Sequence, residues 1–427
     1  MITLLKTREQ HGLFGQIDAA RKFRTHFLIL VSCVGLWALQ MQRPLNADVA
    51  WLLDAGSRWA HGQRLYVDIV EINPPLVFYD MAVLTAGTWS KAAYLAGVCA
   101  AIFVSSVWCE RKWLAFAALS LPALLPFGQR DHLALIAALP YVASDRKSWP
   151  SGIWLFAGTA LKPQLLLIPL FAALWRRRLD PALMVLAGLT AAYVLLIALV
   201  HPAYLREIVP LAMATYAGLE GSMGYWYQLA IILAVAGLNW RSPVAAGIIG
   251  ALLSYALQGK FWYYHLVPAI GLAIYLGLAA TAWQGVNRAC AIALSLLSAA
   301  YFIRDPPPID PIPSGAKRVL FLTPNLPMAY PVVFERGVEN TSPYPSLWPV
   351  PGAANRPDIL AEVRRTQVDA ILQRCPQYIF TNVKDREDYL AFLSADPRFR
   401  GYKFVGNAYS YRVYRIPDAG EQLAKLE

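Results

Sequence analysis

Asp48 is the ionisable residue that is the clearest candidate for catalysis, because it lies just after the first hydrophobic segment of the chain. It opens a run of polar and aromatic residues that ends at residues 71–76. A carboxylate just outside a membrane segment can act on a lipid-borne substrate. Charged groups in or beside the membrane are candidates for functional residues. We therefore predict that Asp48 is a catalytic general base. The alternative is a helix N-cap, since Asp is a common cap before an amphipathic helix.

Further ionisable side chains are expected to meet Asp48 on one side of the membrane: Glu71, Arg130, Asp131, Lys162, Lys260 and His265. A carboxylate beside several cations suits transfer from a phosphate-linked donor. The leaving phosphate gains charge that cations stabilise, and the acceptor hydroxyl needs a base. Arg130 is the expected phosphate ligand because its fork holds two oxygens. The alternative for Arg130 is an ion pair with Asp131.

Lys162 lies in an otherwise apolar block, where an unpaired ammonium is costly, so we expect an anionic partner for it near mid-depth. Lys260 and His265 are predicted to bind the donor phosphate as well, or else to anchor the chain at the interface. Glu71, Asp131 and His265 carry oxygen and imidazole ligands that could hold a divalent metal, Mg²⁺ or Mn²⁺, although no spacing demands it.

The first loop, residues 44–73, divides into two parts. From Asp48 to Ala60, apolar residues recur at helical spacing, which predicts an amphipathic helix on the outer membrane surface that ends at His61-Gly62. The acceptor is expected to meet a rim formed by Trp51, Arg64, Tyr66 and Tyr264. His132 and His201 are interpreted as ordinary interface residues.

Composition predicts a polytopic α-helical membrane protein. The chain has 427 residues, 57% hydrophobic and 15% charged, whereas soluble proteins carry about 25% charged residues. Apolar blocks that read as membrane helices cover residues 27–42, 91–108, 181–200, 225–238, 243–257, 265–282 and 287–303. With shorter blocks, about 10–12 membrane segments are expected. Five cysteines without a CxxC pair support neither a zinc site nor a disulfide framework.

The net charge of +11 is explained by basic clusters between the apolar blocks, which mark cytoplasmic loops and argue against a nucleic-acid partner. The clusters include Arg111-Lys112, Arg146-Lys147 and residues 176–178. The predicted loops alternate between the cytoplasmic and the external side. Two proline-containing blocks, residues 74–88 and 153–175, break this alternation. Each is predicted to form two half-helices or a re-entrant hairpin that lines a cavity.

The composition changes after residue 304, so we predict a transmembrane catalytic domain over 1–304 and a soluble α/β domain over 305–427. Prolines between 306 and 313 form a stiff linker. Strands are predicted at 319–322, 378–380 and 411–415, and helices at 357–373 and 385–394. No phosphate-binding glycine loop or nucleophile motif is found in this part, which favours a cap or recognition module.

The arrangement resembles the GT-C membrane glycosyltransferases, in particular the group of lipid A aminoarabinose transferases and protein O-mannosyltransferases. The matching segments are Asp48 before its helix, Gly62-Gln63-Arg64-Leu65-Tyr66, Asn73-Pro74-Pro75-Leu76, Arg130-Asp131 and Gly158-Thr159-Ala160-Leu161-Lys162-Pro163. The resemblance implies an inverting transferase with a polyprenyl-phosphate sugar donor, a periplasmic or lumenal active site, and Asp48 as base. The family has Lys where this chain has Asn73, so Arg130, Lys162 or Lys260 would replace that cation.

The leading functional hypothesis is therefore transfer of a sugar from a polyprenyl-phosphate donor to an extracytoplasmic lipid, glycan or protein acceptor. Two alternatives remain open, a transporter or flippase for a lipid-linked sugar and a non-catalytic assembly component of a cell-envelope glycan pathway. Short loops and the absence of a eukaryotic retrieval signal favour a bacterial inner membrane, with the active site and the C-terminal domain in the periplasm.

Overall fold

A computed structural model of the chain describes residues 2–84, 89–144, 148–216, 224–353, 355–382 and 401–416. The described residues before 305 consist mainly of helices and the loops that join them. The helices are α1 (Ile2–Met41), α2 (Ala47–Ala60), α3 (Leu76–Leu84), α4 (Ser90–Trp108), α5 (Lys112–Ser120), α6 (Arg130–Ala143), α7 (Trp149–Thr159), α8 (Leu167–Arg176), α9 (Pro181–Val200), α10 (Val209–Thr215), α11 (Trp226–Leu238), α12 (Pro243–Gln258), α13 (Tyr263–Ala279) and α14 (Gln284–Arg304).

Four of these helices are long and apolar enough to cross a membrane. They cover Ala19–Met41, Ser90–Trp108, Pro181–Val200 and Gln284–Arg304, and several shorter apolar helices accompany them. The predictions of helix over the seven apolar blocks are confirmed: six blocks coincide with a described helix to within a few residues, and the block 27–42 forms the C-terminal part of α1. The first helix begins well before residue 27, so its basic N-terminal part is helical as well.

The helical bundle has two chemically different ends. At one end, Arg111 donates a 2.5 Å hydrogen bond to the Ala279 carbonyl oxygen, and a cavity of about 620 Å³ is lined by Arg111, Arg176 and Ser242 among others. At the other end, the Arg43 guanidinium lies 3.6 Å from Asp305. Helix α13 connects the two ends and is buried along most of its length. Basic clusters therefore gather at one end, which we call the basic end.

Close helix packing brings the two halves of the broken block 153–175 into place. A Cβ atom on Gly158 of α7 would lie 2.7 Å from the Leu133 carbonyl oxygen of α6, and one on Gly250 of α12 would lie 2.3 Å from the Leu167 carbonyl oxygen. Such distances are far inside normal contact, so only glycine fits at these crossings. Helices α6, α7, α8 and α12 consequently pack closely around the segment between α7 and α8.

The predicted break in this block is confirmed. Helix α7 ends at Thr159, Lys162 is extended, and a 3₁₀ turn from Pro163 to Leu166 leads into α8. Lys162 lies beside Asp131 in the first turn of α6. The block 74–88, by contrast, is not two half-helices in its described part, which is the single short helix α3; residues 85–88 lie outside the described residues.

The C-terminal part carries a five-stranded sheet of order β2-β1-β3-β5-β4. Its elements are β1 (Arg318–Leu322), α15 (Val332–Glu335), β2 (Glu339–Asn340), α16 (Pro357–Arg374), β3 (Tyr378–Asn382), β4 (Lys403–Ala408) and β5 (Tyr411–Arg415). β1 pairs in parallel with β2 and β3, and β5 lies antiparallel to β3 and β4. The three predicted strands and the helix 357–373 are confirmed. The predicted helix 385–394 and the cluster Arg146-Lys147 lie outside the described residues.

This sheet domain packs on the loop that carries α2. Tyr330 donates a 2.9 Å hydrogen bond to the Asp54 carboxylate, and the backbone N–H of Val70 donates to the Pro343 carbonyl oxygen. The Arg58 guanidinium donates to the Ser342 carbonyl oxygen at 3.2 Å. The domain thus lies at the end of the bundle opposite the basic end.

Candidate active site

Asp48 lies in the first turn of α2, and its predicted alternative role as N-cap is wrong. Asn46 caps the helix, since its side-chain oxygen accepts the Asp48 backbone N–H at 3.1 Å. The Asp48 side chain is 27% exposed, and its Oδ2 accepts a 2.5 Å hydrogen bond from the Gln129 amide. The carboxylate is therefore oriented by the protein but still accessible to a substrate.

Gln129 is a residue that the sequence analysis missed. Its Nε2 donates to Asp48 and also to the Asn46 side-chain oxygen at 3.0 Å, so one amide orients both groups. Gly128, at φ +77°, forms the turn that precedes α6 and places Gln129 there. Its position directly before Arg130 was a usable signal, but an amide does not ionise and so does not stand out beside the charged residues.

Arg130 is a buried cation without full hydrogen bonding. Arg130 is 6% exposed, and its Nε has no hydrogen-bond partner within the part of the chain that the structure describes. The carboxylate of Asp48 is 3.7 Å away, beyond hydrogen-bonding distance. Leaving a buried charged donor unsatisfied is costly. An anion with two oxygens would satisfy the guanidinium fork.

Asp131 pairs with Lys162 and not with Arg130, so the predicted alternative ion pair of Arg130 is wrong. The Lys162 Nζ lies 2.5 Å from Asp131 Oδ2 and 3.1 Å from the Gln258 side-chain oxygen. The expected anionic partner of Lys162 is thereby confirmed. An ammonium has three N–H donors, and these two contacts leave one donor for a ligand.

The Asp131–Lys162 pair yields a stability prediction. Asp131→Asn leaves the Lys162 ammonium buried without its carboxylate, and breaking a buried pair from one side costs about 3–5 kcal/mol. The double variant Asp131→Asn/Lys162→Met removes both charges and should unfold at a higher temperature than Asp131→Asn alone. Thermal unfolding of the purified proteins in detergent measures this. Equal unfolding temperatures for the single and double variants would show that the pair is not coupled.

Arg130 and Lys162 share one cavity of about 330 Å³, which lies in the size range of small-molecule sites. Six separate segments converge on it. Its lining comprises Ile72, Asn73, Pro74, Arg130, Lys162, Pro163, Gln164, Tyr204, Tyr216, Leu257, Gln258 and Tyr264. The Tyr264 ring centroid is 5.1 Å from the Lys162 Nζ, a cation–π contact. We call this space the cationic cavity. Asp48 does not line it, but its carboxylate lies 3.7 Å from the Arg130 guanidinium, which does.

Lys260 and His265 do not line the cationic cavity. The structure therefore does not place them where a donor phosphate bound to Arg130 and Lys162 would lie. The Lys260 Nζ donates to the Tyr216 carbonyl oxygen and lies 4.2 Å from the Tyr216 ring centroid. The buried His265 ring packs against Tyr264 at 4.3 Å between centroids. Both residues support tyrosines of the cavity wall from behind.

Glu71 is buried behind the same wall. Its carboxylate accepts hydrogen bonds from the Trp51 indole at 2.7 Å and from the Asn73 amide at 2.8 Å. Burial raises the pKa of Glu71, while the nearby Arg130 acts in the opposite direction. Glu71 therefore links α2 to the cavity-lining Asn73.

A pH prediction follows from this carboxyl. Because the folded-state pKa is raised above the ordinary 4.5, the stability that Glu71 contributes is fully present below pH 4.5 and is lost as pH rises through the folded pKa. The unfolding temperature of Glu71→Gln should therefore fall less than that of the wild type between pH 4.5 and neutral pH. Thermal scans over that range measure the difference. Identical pH dependence in the two proteins would contradict it.

The predicted metal ligands do not form a metal site in this arrangement. Glu71 is bound to Trp51 and Asn73, Asp131 is bound to Lys162, and the described residues contain no group of three side chains that could hold a metal ion. In this arrangement Glu71, Asp131 and His265 therefore do not fit the expected Mg²⁺ or Mn²⁺ ion.

Three of the four predicted rim residues lie elsewhere. Trp51 is buried beneath Tyr330, with 5.4 Å between ring centroids. Tyr66 is also buried, and its hydroxyl donates to the Asn73 carbonyl oxygen at 2.7 Å. Arg64 is exposed and pairs with Asp68 away from the cavity. Only Tyr264 lines the cavity. The rim prediction is thus wrong for Trp51, Tyr66 and Arg64.

Comparisons with known proteins add no identification: no protein-family model, curated protein or solved structure matches the chain. The chemistry of the site is what remains to indicate function. It combines an accessible, oriented carboxylate with a buried guanidinium 3.7 Å away and an ammonium in the adjoining cavity. Such a set can take a proton from a hydroxyl and hold a phosphate at the same time.

Proposed function

We propose that the chain is a membrane glycosyltransferase of GT-C type that moves a sugar from a polyprenyl-phosphate donor to a hydroxyl of an extracytoplasmic lipid, glycan or protein. Asp48 is the general base, and Arg130 with Lys162 binds the donor phosphate. The observation that carries the proposal is the buried Arg130 guanidinium, which lines the cavity and lacks a hydrogen bond at Nε within the described residues.

The proposed reaction is a single displacement. The acceptor oxygen attacks the anomeric carbon from the face opposite the phosphate, while its proton passes to Asp48. The bond between the anomeric carbon and the phosphate oxygen breaks, and the configuration inverts. The polyprenyl phosphate leaves with increased negative charge, which the buried Arg130 and the remaining Lys162 donor stabilise.

The membrane orientation belongs to the same proposal. Cytoplasmic loops carry an excess of Lys and Arg, so the basic end faces the cytoplasm, and the cationic cavity and the C-terminal domain face the periplasm of a bacterial inner membrane. In this orientation helices α1, α4 to α9 and α11 to α14 would run between the two ends, and four of them are long and apolar enough to cross a membrane. The polyprenyl chain of the donor would then remain in the bilayer beside the cavity.

Purified full-length protein with radiolabelled polyprenyl-phosphate sugars and an extract of cell-envelope lipids and glycans tests the proposal. Transfer of label to an acceptor is the expected result. Movement of the intact donor between leaflets of a vesicle without transfer would instead identify a flippase. Donor binding with neither transfer nor movement would favour the assembly component. Either of the last two results overturns the enzymatic proposal.

A further inference from the structure

The basic end holds a second cationic pocket, between the N-terminal helix and the start of α5. Its volume is about 440 Å³, and the described residues that line it include four cations, Arg21, Lys22, Arg111 and Lys112, and one carboxylate, Glu110. Such an excess of positive charge in one concave site favours an anionic ligand. We call this space the basic-end pocket. It lies at the opposite end of the bundle from Asp48, so transfer chemistry does not account for it.

Apolar side chains line the pocket beside the cations. Trp113 of α5 is 43% exposed, and the neighbouring Leu114 lines the same pocket. Tryptophan beside basic side chains is the composition found where a membrane meets water.

Exposed apolar surface follows on α1. Leu28 is 41% exposed and lies about one turn after the pocket residue Thr25, on the same face of the candidate membrane span Ala19–Met41. A ligand with both an anionic head and apolar chains would therefore contact the cations with its head and this helix with its chains. A soluble anion would use only the first of these surfaces.

We propose that the basic-end pocket binds the phosphate headgroup of an anionic phospholipid from the surrounding leaflet, with the acyl chains along α1 and α5. Basic pockets between membrane helices on the cytoplasmic side suit such headgroups. Each cation near an anionic lipid is worth about fivefold in binding constant, so removing two should weaken binding about 25-fold. The proposal holds whether or not the chain is a transferase.

The test uses full-length protein in nanodiscs that contain phosphatidylcholine with a minor fraction of phosphatidylglycerol. Native mass spectrometry counts the phosphatidylglycerol retained by the wild type, by the site variant Arg21→Gln/Lys112→Gln, and by a control, Arg178→Gln/Arg241→Gln. The control removes the same charge from the same end, at exposed residues outside the pocket. Glycerol 3-phosphate is added in a parallel series as the headgroup without chains.

The expected result is preferential retention of phosphatidylglycerol, lost in the site variant, kept in the control and not displaced by millimolar glycerol 3-phosphate. Equal retention by the site and control variants would overturn the proposal, and so would equal retention of phosphatidylcholine. Displacement by glycerol 3-phosphate would identify a soluble-anion site and overturn it as well. Unfolding temperatures of the variants, measured without added lipid, check that loss of lipid does not reflect misfolding.

Discussion

Asp48→Asn is expected to lower the rate of sugar transfer by about 10²–10⁴-fold, the range that general-base catalysis supplies. The amide of asparagine retains an oxygen that can accept the Gln129 hydrogen bond, so the geometry around residue 48 should persist. The variant loses the ability to take the acceptor proton. Donor binding should therefore remain within a fewfold of the wild type, and the loss should appear in kcat.

The matched control is Asp68→Asn, which neutralises a carboxylate of the same loop that pairs with Arg64 away from the cavity. It should transfer sugar at close to the wild-type rate. Radiolabelled product from each purified protein is measured together with bound donor. If Asp48→Asn transfers at the control's rate, Asp48 is not the base.

Arg130→Gln is expected to reduce transfer by about 10²–10³-fold, the typical cost of removing one donor that stabilises developing negative charge. Unlike Asp48→Asn, this variant should also bind the donor more weakly, because the guanidinium contacts the phosphate before and during reaction. Arg130→Lys keeps the charge but loses the two-pronged geometry, so it should recover only part of the activity.

Arg64→Gln is the control for this series, since Arg64 is an exposed arginine whose partner is Asp68. Competition by inorganic pyrophosphate, a soluble phosphate probe, gives a second readout. It should inhibit the wild type and the Arg64→Gln control, and inhibit Arg130→Gln much less. Unchanged inhibition in Arg130→Gln would place the phosphate elsewhere.

Local sequence patterns predicted much of the fold. The helical spacing of apolar residues after Asp48 gave the helix of α2, and Pro163 marked the break between α7 and α8. Both signals act within one or two turns of chain, where backbone chemistry decides the conformation. The short strands β2 and β4 were not predicted, because β2 has only two residues and β4 is largely exposed.

Residue types in the site were predictable, but their pairings were not. A buried lysine requires an anionic partner, so the sequence indicated that Lys162 would be paired. That the partner is Asp131, 31 positions away, depends on how closely α6 and α7 pack. Arg130 and Asp131 are neighbours in the sequence, but Arg130 lies beside Asp48 and Asp131 beside Lys162. These pairings too depend on how the helices pack.

The prediction for Trp51 failed because one apolar stripe does not reveal what covers a helix. The stripe of α2 suggested a helix on a membrane surface, with its tryptophans at a substrate rim. In the structure, Tyr330 of the C-terminal domain packs on Trp51 while Glu71 accepts its indole N–H. Contacts between segments almost 280 residues apart leave no local pattern.

Photo-cross-linking locates the donor most directly. Full-length protein is irradiated with a polyprenyl phosphate that carries a diazirine next to the phosphate, and the labelled peptides are identified by mass spectrometry. Labels within residues 72–74, 130, 162–164, 204, 216 and 257–264, suppressed by unlabelled polyprenyl-phosphate sugar, are the predicted result. Labels confined to the basic end, or unaffected by competitor, would contradict a donor phosphate site at Arg130 and Lys162.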